Sequence, residues 1–224
     1  MTDGAEPAVT ESAVTDGAEP AVTDGAEPAV TDGAESAMTE SAVTESVFGE
    51  DWIRGPDGML HRNGARIVLF DDADRVLLQR GHDVDDVDRH WWFTPGGGIR
   101  PGEDPREAVV RELAEETGIH LQVSDLVGPV ATRNAIFDFA REWARQDEVY
   151  FTARIRPPRE LDSSGWTAVE RRFLDDQRWI PATKVRTLPQ TVYPTALPDL
   201  IEALLKGWDG TVRHLVEEDP PSRR

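Results

Sequence analysis

Apolar residues are small and thinly spread over the first fifty positions and become concentrated only from about residue 60 onward. Two apolar runs, ARIVLF (65–70) and VLLQR (76–80), flank the polar segment DDADR and predict a β-hairpin. The polar segment GHDVDDVDRH (81–90) that follows predicts a loop. Alternation between apolar runs and polar turns therefore begins near residue 60, where we expect the folded domain to start.

Later segments predict further strands and one amphipathic helix. The strand candidates are WWFT (91–94), LVGPVAT (126–132), EVYFTARI (148–155) and QRWI (177–180). The segment ALPDLIEALLKG places its leucines and isoleucine on one helical face and ends at Gly207. Because the strands and helices do not alternate regularly, we predict an α+β fold with a mixed sheet and helices on its faces.

The first fifty residues have a repetitive composition. The octad TDGAEPAV begins at Thr2, Thr15 and Thr23, and a degenerate copy begins at Thr31. Such a segment buries too little apolar surface to offset the entropy of ordering. We therefore predict a disordered acidic tail over residues 1–50, a folded domain over 60–207 and a short C-terminal tail over 208–224.

The charge follows the same division. The chain has 43 acidic and 24 basic residues, and 12 of the acids lie in residues 1–50, which contain no lysine or arginine. The rest of the chain is only mildly acidic, at about −7. It lacks the basic excess that a duplex nucleic acid partner requires, and a small phosphate compound would need a metal ion beside it.

There is no cysteine for disulfides or thiolate metal sites, and neither a leader nor a membrane span is recognisable, so we expect a cytoplasmic protein.

A glycine-rich loop followed by a helix pattern occupies residues 96–119, GGGIRPGEDPREAVVRELAEETGI. Its segment DPRE (104–107) combines an aspartate N-cap, a proline at the first helical position and a glutamate three residues after the cap. The helix is predicted to run to Thr117, with Gly118 as its C-terminal cap.

The predicted helix carries three glutamates, Glu112, Glu115 and Glu116, within an arc of roughly 100°. Their charges repel one another, and the helix dipole adds to the cost near the C-terminus. A hard divalent cation such as Mg²⁺ would offset this charge. The alternative is a solvated acidic helix face without any ligand.

The same segment resembles the signature of the Nudix hydrolases, the Nudix box. Gly97 is followed after five residues by Glu103 and after seven more by REL-x-EE-x-GI, which ends at Ile119. The wider likeness covers about residues 60–207 and is one of pattern only. The resemblance implies an α/β/α sandwich with a mixed sheet, in which the loop and helix of the box bind Mg²⁺, with Mn²⁺ as a substitute.

The resemblance also implies roles for individual residues. The implied metal ligands are Glu112, Glu115 and Glu116, the carbonyl of Gly96 and, at a second metal or as support for the loop, Glu103. Arg111 would orient a glutamate by ion pairing, and Arg111, Glu112 and Glu115 are the predicted catalytic residues. The general base stays open between Glu115, Glu148 and Glu170, in that order.

The implied activity is water attack on phosphorus in a nucleoside diphosphate linked to another moiety. An oxidised nucleoside triphosphate, ADP-ribose or another nucleotide sugar, and a dinucleoside polyphosphate all remain candidate substrates. A non-catalytic nucleotide-binding sensor or partner module of the same fold is the alternative. The sequence predicts no membrane partner and leaves the oligomeric state open, a homodimer included.

For the other polar and aromatic residues, the sequence favours a structural role over a functional one. Trp91, Trp92 and Phe93 can stack a base, but aromatic residues in such a strand more often belong to the core. The five histidines show no metal-ligand spacing and are assigned no role: His61, His82, His90, His120 and His214. The segment FDFAREWARQDE (137–148) resembles the substrate-facing loops that vary between Nudix groups.

Overall fold

The structure is a computed structural model and describes residues 51–139, 142–158 and 160–216. The predicted tail at residues 1–50 and the end of the predicted C-terminal tail lie outside these ranges. Within them the strands are β1 (Ile53–Arg54), β2 (Leu60–Asp71), β3 (Arg75–Asp83), β4 (Asp86–Phe93), β5 (Gly96–Gly98), β6 (Val127–Phe139), β7 (Glu142–Ile155), β8 (Leu174–Pro181), β9 (Thr191–Val192) and β10 (Arg213–Leu215). The helices are α1 (Pro105–Thr117) and α2 (Leu197–Leu204).

The strands form one mixed sheet in the order β10-β6-β7-β2-β3-β4-β9, with β1 and β5 paired to β2 and β8 paired to β3. Strand β2 runs parallel to β7 along its whole length and antiparallel to β3. The predicted hairpin of β2 and β3 is confirmed, with Phe70 opposite Val76. The mixed sheet predicted from the sequence is likewise confirmed.

Strand β2 is buried on both of its faces, which explains its unbroken apolar run. Ile67 and Leu69 pack with helix α1, whereas Val68 and Phe70 pack with helix α2. Successive side chains of a strand point to opposite faces, so one strand supplies both cores. The predicted α/β/α layering is confirmed.

No helix in the described part of the chain is long and apolar enough to cross a membrane.

Two predicted loops are strands. The segment 81–90 forms the end of β3 and the start of β4, with His82 paired to His90. The segment 137–148 belongs to the β6–β7 hairpin, apart from residues 140–141, which are not described. Both predictions were wrong because backbone hydrogen bonds hold each hairpin, while polar side chains and exposed apolar ones, such as Val87 and Trp143, obscure the apolar alternation that marks a strand.

Candidate metal centre and substrate cavity

The caps of helix α1 are those the sequence predicts. The Asp104 side chain accepts a hydrogen bond from the Arg106 backbone N–H at 2.8 Å, and Glu107 accepts one from the Asp104 N–H at 3.3 Å. Gly118 ends the helix in the left-handed conformation, with φ of 71°. The capped helix holds its glutamates at a fixed rotation against strand β5.

Three carboxylates converge at this helix. Glu112, Glu116 and Glu170 each offer an oxygen atom, and these oxygens lie within 4.8 Å of one another. We call these three residues the carboxylate trio. Glu112 and Glu116 are one helical turn apart, and Glu170 comes from a short 3₁₀ turn at 170–172. The sequence named Glu170 only as a candidate base, and its place in the trio was not predicted.

Glu115, the third glutamate expected at the metal, lies outside this trio. Its side chain is 45% exposed, and its oxygens lie 3.3 Å from Arg111 Nη1 and 3.6 Å from Arg100 Nη2. A helix turns by about 100° per residue, so Glu115 stands to one side of the line that joins Glu112 and Glu116. It also lines the adjoining cavity.

The trio is short of positive charge. Burial raises the pKa of Glu116 well above its usual range, and the neighbouring charge of Glu112 adds to the rise. Burial also raises the pKa of Glu112, although Arg111 partly opposes this. Two inward carboxylates of raised pKa, joined by a third, form an all-oxygen donor set. Such a set fits a hard divalent cation such as Mg²⁺ or Mn²⁺.

Arg111 connects the glycine loop to the helix. It donates to both oxygens of Glu103 at 2.7 and 2.8 Å, to Glu112 Oε1 at 2.5 Å and to the Gly98 carbonyl at 2.9 Å. The hydrogen bonds from Arg111 lower the pKa of Glu103. Glu103 also accepts from the Arg100 N–H at 2.9 Å. Glu103 therefore lies where it supports the loop, and Arg111 lies where it can orient Glu112.

Gly96 brings the loop against strand β2. Its φ of 130° favours glycine, and a Cβ atom there would clash with the Ala65 carbonyl oxygen. Its N–H donates to Glu116 Oε2 at 3.0 Å, and its carbonyl accepts from Arg66 Nη1 at 3.3 Å. The backbone of Gly96 is thus next to the trio, but its N–H contacts Glu116, whereas the carbonyl that was expected to bind the metal accepts from Arg66.

A loop at 160–173 closes the C-terminal end of helix α1, where the last carbonyl groups have no helical partner. Trp166 Nε1 donates to the Glu116 carbonyl at 2.8 Å, and the Asp162 N–H donates to the Thr117 carbonyl at 2.9 Å. Gly165 packs so closely on the Glu115 carbonyl that a Cβ atom would clash. These contacts hold the loop that carries Glu170. We call them the helix clamp, and no local sequence pattern predicts them.

Glu148 lies in a buried ion network beside the cavity. It accepts hydrogen bonds from Arg66 Nε, from Arg133 Nη1 at 2.6 Å and from the Tyr150 hydroxyl at 2.9 Å. Burial alone would raise the pKa of Glu148, but the charges of Arg66 and Arg133 outweigh it and lower that pKa to about 2. Glu148 is therefore a firmly ionised partner of two arginines, a poor state for a group that must accept a proton.

A cavity of about 830 Å³ opens next to the trio. Its polar wall includes Arg62, Arg66, Arg89, Arg100, Arg111 and Arg133, and its aromatic wall includes Trp91, Phe93, Phe173 and Tyr193. Trp91 and Tyr193 meet edge to face, with ring centroids 6.4 Å apart. Trp92 points instead into the core under α2. Hence the core interpretation holds for Trp92, whereas Trp91 and Phe93 face the cavity.

A family model described as "NUDIX domain" matches residues 60–200, more than half of the chain. The chain belongs to the Nudix family. The expected resemblance is thereby confirmed, together with the fold that it implies.

Individual proteins match this chain only over a short segment or at low sequence identity. A curated protein of Bacillus subtilis (strain 168) named "Putative 8-oxo-dGTP diphosphatase" is 35% identical over 69 residues, which are 31% of this chain and 43% of the relative. The match thus spans less than half of that relative's length. The solved MutT protein of Methanosarcina mazei Go1 is 18% identical, with a TM-score of 0.49 over 65% of this chain and 94% of that one. A C. elegans Ap4A hydrolase is 19% identical, with a TM-score of 0.48 over 65% of this chain and 98% of that one.

Proposed function

We propose that this protein is a metal-dependent diphosphatase that hydrolyses a nucleoside diphosphate linked to another moiety. The observation that carries the proposal is the convergence of Glu112, Glu116 and Glu170 beside an arginine-lined cavity. Carboxylates at such distances are costly without a counter-charge. The trio would hold Mg²⁺, or Mn²⁺ in its place. Membership of the Nudix family supports the same reaction class.

The bound ion would polarise phosphoryl oxygens and offset the charge of the pyrophosphate. The chain's residues then position the reactants. Arg111 fixes the orientation of Glu112, and the helix clamp keeps Glu170 at the trio. Arg100, at the cavity wall with a side chain 60% exposed, is available to contact a phosphate. Trp91 and Tyr193 offer aromatic surface for a base or another flat group.

For the proton acceptor we propose Glu115. Water attacks one phosphorus, the bridging P–O bond breaks, and a nearby carboxylate takes the proton released by the water. Glu115 lines the cavity and is not used by the trio, and because its side chain is 45% exposed, water screens its contacts with Arg111 and Arg100. Glu148 is unsuited because two arginines hold its pKa at about 2. Glu170 is the remaining candidate, and its place in the trio favours metal binding over proton transfer.

For the substrate, the named relative from Bacillus subtilis puts an oxidised nucleoside triphosphate first. A cavity of about 830 Å³ is large enough for one nucleotide, in the usual range of about 300–1,000 Å³ for small-molecule sites. ADP-ribose and a dinucleoside polyphosphate are the other two classes to compare.

The test is turnover by the full chain with Mg²⁺ on 8-oxo-dGTP, ADP-ribose and diadenosine tetraphosphate, with the products separated by chromatography. Glu116→Gln and Glu170→Gln should each lower kcat/KM by at least about a hundredfold and weaken Mg²⁺ binding, whereas Glu115→Gln should lower kcat with Mg²⁺ affinity nearly unchanged. Glu107→Gln is the matched control on the same helix. It should stay within about threefold of wild type because Glu107 serves only the cap.

Two outcomes would contradict the proposal. Near-normal turnover by Glu116→Gln would show that the metal site is wrongly assigned. Tight binding of a nucleotide without any product from the wild-type protein, in Mg²⁺ or Mn²⁺, would favour the non-catalytic sensor instead.

A further inference from the structure

A second group of metal-ligating side chains lies on strands β3, β4 and β8. His82 Nδ1 lies 2.8 Å from Asp175 Oδ1, and His90 Nδ1 lies 2.8 Å from Asp175 Oδ2. Each residue offers one ligand atom, and these atoms all lie within 4.8 Å of one another. None of the three residues lines the catalytic cavity. No role for these histidines is predicted from the sequence, because the contact depends on pairing between strands.

The sheet geometry explains how the three side chains meet. His82 and His90 are directly opposite in the antiparallel β3–β4 pair, so their side chains lie on the same face. Between β3 and β8 the register passes from Arg80↔Asp176 to Gly81↔Leu174. Asp175 is therefore the extra residue of a β-bulge. A bulge re-aims one side chain relative to regular pairing, and here it turns Asp175 toward both histidines.

The group is sheltered but can be reached from solvent. The side chains of His82, His90 and Asp175 are 17%, 30% and 20% exposed. The two imidazole rings meet edge to face, with centroids 5.8 Å apart at an angle of 65°. A small ion can therefore reach these ligand atoms from solvent.

We propose that His82, His90 and Asp175 form a second metal site, which binds a transition metal ion of the zinc class. Two imidazoles with one carboxylate are typical of Zn²⁺ sites that keep an open fourth position. The same mixed nitrogen and oxygen set suits Mg²⁺ poorly, since Mg²⁺ prefers oxygen ligands. The two centres would therefore differ in the ion that each selects.

The distances fit such an ion with small side-chain movements. Ligands at about 2.0–2.1 Å from a tetrahedral zinc ion lie roughly 3.4 Å apart. The two nitrogen–oxygen distances of 2.8 Å are shorter than this value, and the three ligand atoms all lie within 4.8 Å of one another. Arg80 Nε lies 3.5 Å from Asp175 Oδ2. It can orient the ligating carboxylate from outside, although its positive charge also lowers the affinity of the site.

The test is zinc binding to the full chain after treatment with a chelator, at neutral pH and with excess Mg²⁺ present to occupy the carboxylate trio. A competing chromophoric chelator reports the affinity for Zn²⁺, and the visible spectrum with Co²⁺ reports the coordination. We expect one Zn²⁺ per chain and a melting temperature that rises with Zn²⁺. His82→Asn, His90→Asn and Asp175→Asn should each weaken binding by at least about tenfold.

Two controls locate the bound zinc. His61→Asn removes a histidine that pairs only with Asp57, at 3.0 Å, among the contacts described for it, and should bind Zn²⁺ as wild type does. Glu116→Gln should also retain the zinc, because Glu116 belongs to the carboxylate trio and not to this group. Melting curves without metal show which variants fold, and any one folded variant of the group is sufficient for the test. Zinc uptake that is lost in Glu116→Gln, unchanged in a folded His82→Asn or His90→Asn variant, or absent in wild type would overturn the proposal.

Discussion

Replacement of Glu148 by glutamine separates a structural role from a catalytic one. The change removes the negative charge of a buried carboxylate but keeps its shape, and it leaves Arg66 and Arg133 without their shared partner. Removal of one member of a buried ion pair typically costs about 3–5 kcal/mol. The lowering of the Glu148 pKa from about 4.3 in the unfolded chain to about 2 corresponds to about 3 kcal/mol, so both routes give a similar loss.

The pH dependence of this loss has a definite sign. The carboxylate of Glu148 has a lower pKa in the folded chain than in the unfolded chain, where the value is about 4.3. Its contribution to stability is therefore fully present above about pH 4.3 and is lost as the pH falls toward 2. We expect the difference between wild type and Glu148→Gln to shrink over that acidic range.

Urea unfolding of the full chain at neutral pH measures the effect, with Asp147→Asn as the matched control. Asp147 is adjacent in the same strand, but its side chain is 46% exposed, so its loss should cost less than about 1 kcal/mol. Where the Glu148→Gln protein is folded, kcat should stay within about tenfold of wild type, since a general base contributes about 10²–10⁴-fold. Unchanged stability together with a thousandfold loss of kcat would make Glu148 the base and refute this reasoning.

Three further predictions concern the clamp, the metal and the tail. Trp166→Phe removes the hydrogen bond to the Glu116 carbonyl and should cost about 1 kcal/mol in a melting experiment. It should also lower kcat/KM by allowing Glu170 to move, and wild-type kinetics would contradict the clamp. Mg²⁺ should raise the melting temperature with concentration in wild type and much less in Glu116→Gln, and a chelator that leaves the wild-type curve unchanged would argue against the trio. Deletion of residues 1–48 should leave kcat/KM within about threefold, because these repeats lack core-forming residues, and a large loss would contradict this.

The parts of the site that the sequence predicts are those set by local signals. The caps of helix α1 depend on residues within four positions of one another, so DPRE and Gly118 are enough to place both ends. The strands of the core are recognisable because burial on one or both faces leaves an apolar pattern. By contrast, the hairpin end that carries His82 and His90 is rich in polar side chains and leaves Val87 exposed, so periodicity does not reveal it.

Non-local contacts account for what the sequence could not predict. Asp175 meets two histidines only because the register between β3 and β8 shifts by one residue, and a bulge leaves no signal in composition. The burial of Glu148 between two arginines likewise depends on the pairing of β7 with β2 and β6. The sequence alone therefore left Glu148 as a candidate base. In the folded chain, Glu148 is buried and accepts hydrogen bonds from Arg66 and Arg133.

The third member of the carboxylate trio is Glu170 and not the expected Glu115. Helix geometry and the helix clamp together account for this difference. At about 100° per residue, Glu116 lies about 40° to one side of Glu112 and Glu115 about 60° to the other, so with Glu112 and Glu116 pointing inward Glu115 is left toward water. The third inward carboxylate must then come from another segment. The clamp supplies it by binding the free carbonyl groups at the helix end, through Trp166 for instance. A change in the clamp should therefore affect metal binding even when every residue of the Nudix box is intact.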